Sequence, residues 1–170
     1  IDGVVEVQLL REPGHVIARH ELPVSVAGRS KVSLSVDEIV GVFRDINYAY
    51  RFGPVSHHVV VATWFSVDRT VLSEAFYFTR SRDPEPHPVT WQAQGEPLSD
   101  GRYQVVLQSE AFLHHVRCSA KGFLPDDNYF HLVPARAKTI TFAPVKDHTG
   151  PLRATVEALN ALGELTVNIK

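Results

Sequence analysis

Methionine is absent from all 170 residues and cysteine occurs once. Neither sign of charge dominates, since 17 Lys and Arg stand against 19 Asp and Glu for a formal charge of -2. The lone Cys118 excludes an internal disulfide framework and, having no companions, a cysteine-ligated zinc site. Balanced charge without a basic block, at a sequence pI of about 6.5, leaves no electrostatic footprint for phosphate backbones or anionic lipid, so neither nucleic acid nor a membrane is expected as a partner. No apolar run approaches the roughly 18 residues that suggest a membrane-spanning helix. The missing methionine extends to position 1, where Ile-Asp-Gly-Val opens the chain, and predicts a piece of a longer polypeptide. What is present is 44% apolar, enough for a buried core and too much for disorder by composition.

Strand signals dominate. Apolar and polar residues alternate over Val5–Leu9, Val32–Val36 and Tyr103–Gln108, which predicts half-buried antiparallel strands. His58–Phe65 and Ala75–Thr79 are rich in β-branched and aromatic residues and read as central strands buried on both faces. Pro13-Gly14 and Ala27-Gly28 supply turns, the second through glycine's tolerance of positive φ. One helical spacing exists, Val36, Ile39, Val40 and Phe43, with Asp37 placed to cap its first turn.

Prolines at 84, 86 and 88 make Arg80–Pro88 an extended linker. It divides the chain into 1–80, a linker over 81–88, and 89–170. The second part offers seven strands (Val89–Ala93, Arg102–Gln108, Phe112–Ser119, Tyr129–Val133, Lys138–Phe142, Leu152–Ala158, Glu164–Ile169), the number in a constant-type immunoglobulin sandwich. The first offers five, near 4–10, 16–22, 31–36, 58–66 and 71–79, with Asn47–Arg51 as a sixth, and is expected to lack its first strand. The predicted fold is all-β: two tandem immunoglobulin-like β-sandwiches.

Little of this carries chemistry. His57-His58 and His114-His115 are adjacent, and neighbours in a strand point to opposite faces, so the two rings of a pair are not expected to share an ion. With no His-Glu-x-x-His motif and no Cys/His quartet, no metal or cofactor is expected. Asp126-Asp127-Asn128 lacks the glycine and the ligand number of a calcium loop and reads as Asx turns. Cys118 has His114 four residues back, roughly 13 Å at strand rise, too far for activation, and reads as a buried structural thiol. There is no Gly-x-Ser-x-Gly elbow and no Gly-rich phosphate loop. Trp64 and Trp91 lie on apolar strand positions and read as core. Tyr48 and Tyr50, in a polar stretch, are the candidates for stacking on a sugar ring, or equally for packing on a neighbouring domain.

The segment Gly122-Phe-Leu-Pro-Asp-Asp-Asn-Tyr-Phe-His-Leu-Val-Pro134, followed by Lys138–Phe142, resembles the last immunoglobulin-like domain of β-mannosidases of glycoside hydrolase family 2, which carries a Ser-Asp-Asn-Tyr-Phe-Asp-Leu-x-Pro-Gly-Glu block. Asp127, Asn128, Tyr129, Phe130, Leu132 and Pro134 match. Asp126, His131 and Ala135-Arg136 depart from it. Asn47–Ala62 and Glu74–Phe78 resemble the preceding sandwich of such enzymes. The resemblance implies the two C-terminal accessory sandwiches of an exo-acting retaining glycosidase that removes terminal β-D-mannose, bracing a catalytic (β/α)8 barrel upstream in the same polypeptide, with an oligosaccharide as a further partner. Both catalytic glutamates of that family lie on the barrel, one of them in an Asn-Glu pair. No Asn-Glu dipeptide occurs here, so no catalytic residue carries over, and Asp127, Asn128, Tyr129 and Phe130 are expected to be structural. A carbohydrate-binding module and an unrelated adhesive, fibronectin-like sandwich pair are the alternatives.

Overall fold

The structure, a computed structural model, describes residues 1–50, 53–79, 84–146 and 148–169. The chain forms two compact units, Ile1–Arg82 and Asp83–Lys170. All described elements but one are strands.

In the first unit β1 (Asp2–Arg11), β2 (His15–Ser25), β3 (Val59–Ser66) and β4 (Val71–Phe78) form an antiparallel sheet in the order β2-β1-β3-β4. β3 is central, as its composition predicts. β4 is instead an edge strand with its residues half-buried or exposed, because among the described residues only β3 pairs with it. The register places Val7 opposite Ala62 and Leu9 opposite Val60, and Val60 and Ala62 opposite Tyr77 and Ala75. Residues directly opposite share a face, so these six form one apolar surface. Val36, Ile39 and Ile46 pack onto its buried Val7, Leu9 and Val60. On the other face Glu6 is fully buried. It accepts a hydrogen bond from Gln8 (2.8 Å) and pairs with the Arg19 guanidinium, which spares the core an isolated charge.

The stretch 31–36, expected as a strand, has no ladder partner and leads into the single helix α1 (Val36–Val40). Ser35 wins over strand pairing because it closes a capping box: its hydroxyl accepts from the Glu38 amide while the Glu38 carboxylate accepts from the Ser35 amide. Ser35, not Asp37, is therefore the cap. Asn47–Tyr50 is a turn and bend rather than a sixth strand, and Arg51 lies outside the described residues. At the Ala27-Gly28 turn the positive φ falls on Arg29.

The second unit contains β5 (Trp91–Pro97), β6 (Tyr103–Ser109), β7 (Leu113–Ala120), β8 (Phe123–Pro125), β9 (Phe130–Leu132), β10 (Lys138–Pro144), β11 (Leu152–Glu157) and β12 (Leu165–Ile169). The order β12-β11-β7-β8-β10-β6-β5, with β9 on β7, curls around a core of Val105, Leu107, Leu113, Val116, Ile140, Phe142, Leu152 and Val156. The two ends of this path meet: a Cβ on Gly95 of β5 would lie 2.1 Å from the Cδ1 of Ile169 on β12. Trp91 packs half-buried against the core. The eighth strand, β8, escapes sequence pattern because Pro125 ends it after three residues. Of the proline-rich stretch, 80–83 lie outside the described residues. His87 already belongs to the second unit, donating its amide to Asn160 O (3.0 Å) and accepting from the Leu162 amide (2.9 Å).

Candidate functional site

The sheet of the first unit and the segment that crosses it enclose a cleft of about 560 Å³. Val60, Ala62, Ala75 and Tyr77 form its floor, on the face defined above, and the α1 residues Val36 and Asp37 with the loop 43–50 form its walls. The loop is held by its own polar groups. Asp45 accepts from the amides of Ala49 (2.7 Å) and Tyr50 (3.0 Å). Buried His57 bridges Ile46 O (2.7 Å) and the Ser56 hydroxyl (2.8 Å) through its two ring nitrogens. These bonds fix the backbone that presents Phe43 and Tyr50, whose rings meet edge to face at 5.7 Å. Phe43 is 66% exposed and Tyr50 59%. An aromatic wall beside carboxylates and a carboxamide (Asp37, Asp45, Asn47) suits a ligand with apolar faces and hydroxyl rims.

Of the two tyrosines singled out from the sequence, the structure places Tyr50 in this cleft. Tyr48 is not among the lining residues; it has φ of 54° and its hydroxyl donates to Gly53 O (2.6 Å). Phe43, Tyr77 and Asp37 were not legible as site residues. Phe43 fits the helical period of Val36–Val40, and only the αL cap at Gly41 releases it from that helix.

The Asp-Asn-Tyr-Phe block leads from the loop after β8 into the first residue of β9, and the polar groups here are taken up in holding strands. The Thr141 amide donates to the Asp126 carboxylate (2.9 Å), and Asp127 accepts from the Asn128 amide (2.8 Å) and pairs with Lys138 (2.6 Å). The Lys138 ammonium also stands 4.7 Å from the centre of the Phe130 ring. Asn128 accepts from the Cys118 amide (2.7 Å) and donates to the Cys118 carbonyl (3.0 Å). Tyr129, with φ of 58°, points outward and is 62% exposed. Cys118 is buried. Burial first, then the charges of Asp127 and Asp126, pushes its thiol up to about 12, so at neutral pH it is neither a nucleophile nor a ligand.

The histidines require a correction. Leu113 pairs with Leu132 and Val116 with Phe130, so two residues of β7, His114 and His115, oppose the single His131 of β9. This is a β-bulge, with His115 at φ 47°. Alternation fails at that point, and Nδ1 or Nε2 atoms of the three imidazoles lie within 4.8 Å of one another. The expectation that adjacent histidines face apart holds for a regular strand and not for this one. Burial, followed by the nearby His115 and His114, lowers the His131 ring to about 4.

Comparison with known proteins finds likenesses for the fold of the whole chain and for the second unit. No curated protein sequence matches the chain. Solved structures of the exo-chitosanase CsxA of Amycolatopsis orientalis do match in fold. One aligns with a TM-score of 0.62 at 12% identity, and a complex of a CsxA variant with PNP-β-D-glucosamine with 0.60 at 14%. Each covers 99% of this chain, which spans 24% of the length of theirs. Residues 85–160 match the Ig-fold domain family Ig_mannosidase. That stretch contains the Asp-Asn-Tyr-Phe block and runs from β5 to β11, so the second unit carries an immunoglobulin fold similar to that family's.

Proposed function

We propose that the chain is a non-catalytic accessory portion of a family 2 glycoside hydrolase of β-mannosidase type, its sandwiches bracing a catalytic barrel in the same polypeptide. The observation that carries this is the Ig_mannosidase match over 85–160. The fold likeness of 99% of the chain to a 24% share of an exo-acting glycosidase supports it. The chemistry agrees. Retaining hydrolysis requires two carboxyl groups about 5–5.5 Å apart in a water-excluding pocket, whereas the Asp45 carboxylate is already engaged by two loop amides. Aryl β-D-mannoside and aryl β-D-glucosaminide assays on the purified chain are expected to show no turnover, and the coding sequence preceding Ile1 is expected to specify a (β/α)8 barrel with an Asn-Glu pair. Turnover by material free of other glycosidases, or a different preceding domain, overturns the proposal. With the barrel present, the same two substrates separate a mannosidase from a glucosaminidase.

The aromatic cleft favours a second reading, in which the first unit also binds an oligosaccharide through Tyr50 and Phe43. Calorimetry with manno- and glucosamine oligosaccharides tests it, and no heat at millimolar ligand would refute it.

A further inference from the structure

We infer that His114, His115 and His131 form a binding site for a divalent late first-row transition metal, one that ties the three-residue strand β9 to the bulge of β7. The bulge is what builds the site. Leu113, Val116 and Cys118 of β7 and Leu132 of β9 all enter the core, and the extra residue between them brings both His114 and His115 beside His131. Ring centres lie 4.6 Å apart for His115 and His131 and 5.6 Å for His114 and His131.

Three neutral imidazoles without a thiolate suit zinc, nickel or copper and not calcium or magnesium. Tetrahedral Zn–N bonds of about 2.0–2.1 Å place ligand nitrogens about 3.4 Å apart, so the spacing, within 4.8 Å at present, must close by up to about 1.4 Å. The arrangement allows it. His114 is the fixed member, buried to 6% exposure, its amide held by the Asn160 side chain at 2.9 Å. His115 is exposed, so its ring can turn, while half-buried His131 accepts from the His115 amide through Nδ1 (3.4 Å) and so keeps Nε2 for an ion. Fully buried Phe112 stacks on His131 at 5.6 Å and meets His114 edge to face at 4.9 Å, an apolar backing that limits where those rings can go. The exposed side at His115 leaves room for water as a fourth ligand. Binding would crosslink two strands that otherwise meet over a few residues.

The test uses the 170-residue chain without a histidine tag, with zinc chloride as the probe. Calorimetry is expected to show one zinc per chain and a melting temperature that rises with zinc. His115→Asn keeps a residue tolerant of positive φ, and His131→Gln keeps a polar side chain of similar reach. Each is expected to weaken binding at least about ten-fold, the lower end of what disturbing a ligand's supporting shell costs, and to abolish the thermal shift while circular dichroism stays unchanged. His15→Ala, at an exposed histidine of β2, should change nothing. No saturable binding at 1 mM zinc, or binding weakened less than about ten-fold by either His115→Asn or His131→Gln, overturns the inference.

Discussion

The side-chain amide of Asn128 pairs with both backbone groups of Cys118, doing for β7 what a neighbouring strand would do where β9 does not reach. Asn160 repeats the arrangement elsewhere on the same strand. Its Nδ2 donates to Phe112 O (2.7 Å), its Oδ1 accepts from the His114 amide (2.9 Å), and it is 1% exposed. Replacing either leaves two backbone groups to find new partners. Asn128→Ala is expected to cost on the order of 1–2 kcal/mol. Asn160→Ala should cost about 2–4 kcal/mol, because water cannot reach the orphaned groups as easily. Urea midpoints of the two variants check both the sizes and their order.

The Cys118 thiol should be silent until the fold opens. With its ionisation pushed up to about 12, a thiol reagent at pH 8 is expected to label the chain only at the rate of unfolding and completely in denaturant. Fast labelling of native protein would show that the strand pairing around Cys118 is wrong.

His131 sets a pH dependence of definite sign. Its folded value of about 4 lies below the ordinary 6.5, so between those values the unfolded chain binds more protons than the folded one. Its contribution is fully present above pH 6.5 and is lost progressively as pH falls toward 4. Denaturation midpoints of the native chain and of His131→Gln across that window, without metal, should diverge in slope. Parallel curves would show that the ring is solvated.

The two tyrosines of the cleft loop are predicted to separate cleanly. Tyr50→Ala, at an exposed wall position, should abolish oligosaccharide heat and change stability by less than about 0.5 kcal/mol. Tyr48→Phe removes the hydroxyl bond to Gly53 O. It should cost about 1 kcal/mol and leave binding heat unchanged.

Gly95 stands where the ends of the second sheet meet. Gly95→Ala would push a methyl into Ile169 and is expected to destabilise the unit by about 1–3 kcal/mol. Shortening the neighbour in Gly95→Ala/Ile169→Val should recover part of that loss, which thermal denaturation can show.

Much of the architecture was legible where one physical signal acts alone. The β-branched run at Val59–Phe65 fixes a central strand because few other arrangements bury it, and the alternation at Tyr103–Gln108 fixes a face. Legibility failed where a local bond competes with pattern. Val32–Val36 alternates like a strand, yet the Ser35–Glu38 capping box turns its end into a helix. Ala75–Thr79 is apolar enough for a sheet centre, but composition does not count neighbours, and β4 has a described partner on one side only. The histidine cluster was hidden for a related reason: alternation is a property of regular strands, and only the paired register reveals a bulge. Asn160 gave no signal, since a buried asparagine and a surface one look alike in sequence. The Asp-Asn-Tyr-Phe block was legible by resemblance, but the Asx turns expected there are not what its side chains make: Asp126 and Asn128 accept from the distant Thr141 and Cys118 amides, and Asp127 from the next amide.

The bulge between Leu113 and Val116 means that β7 runs in two phases, inward at Leu113 and then inward again at Val116 and Cys118 after a gap of three instead of two. Strand length here is therefore information as well as spacing. Loss of one residue from 114–115 would leave Leu113 and Val116 two apart, so simple alternation would hold both inward with the bulge closed and a single residue facing His131. A chain shortened here by a single codon would keep its core and lose one of the clustered histidines, whereas substitution of His115 keeps the bulge itself.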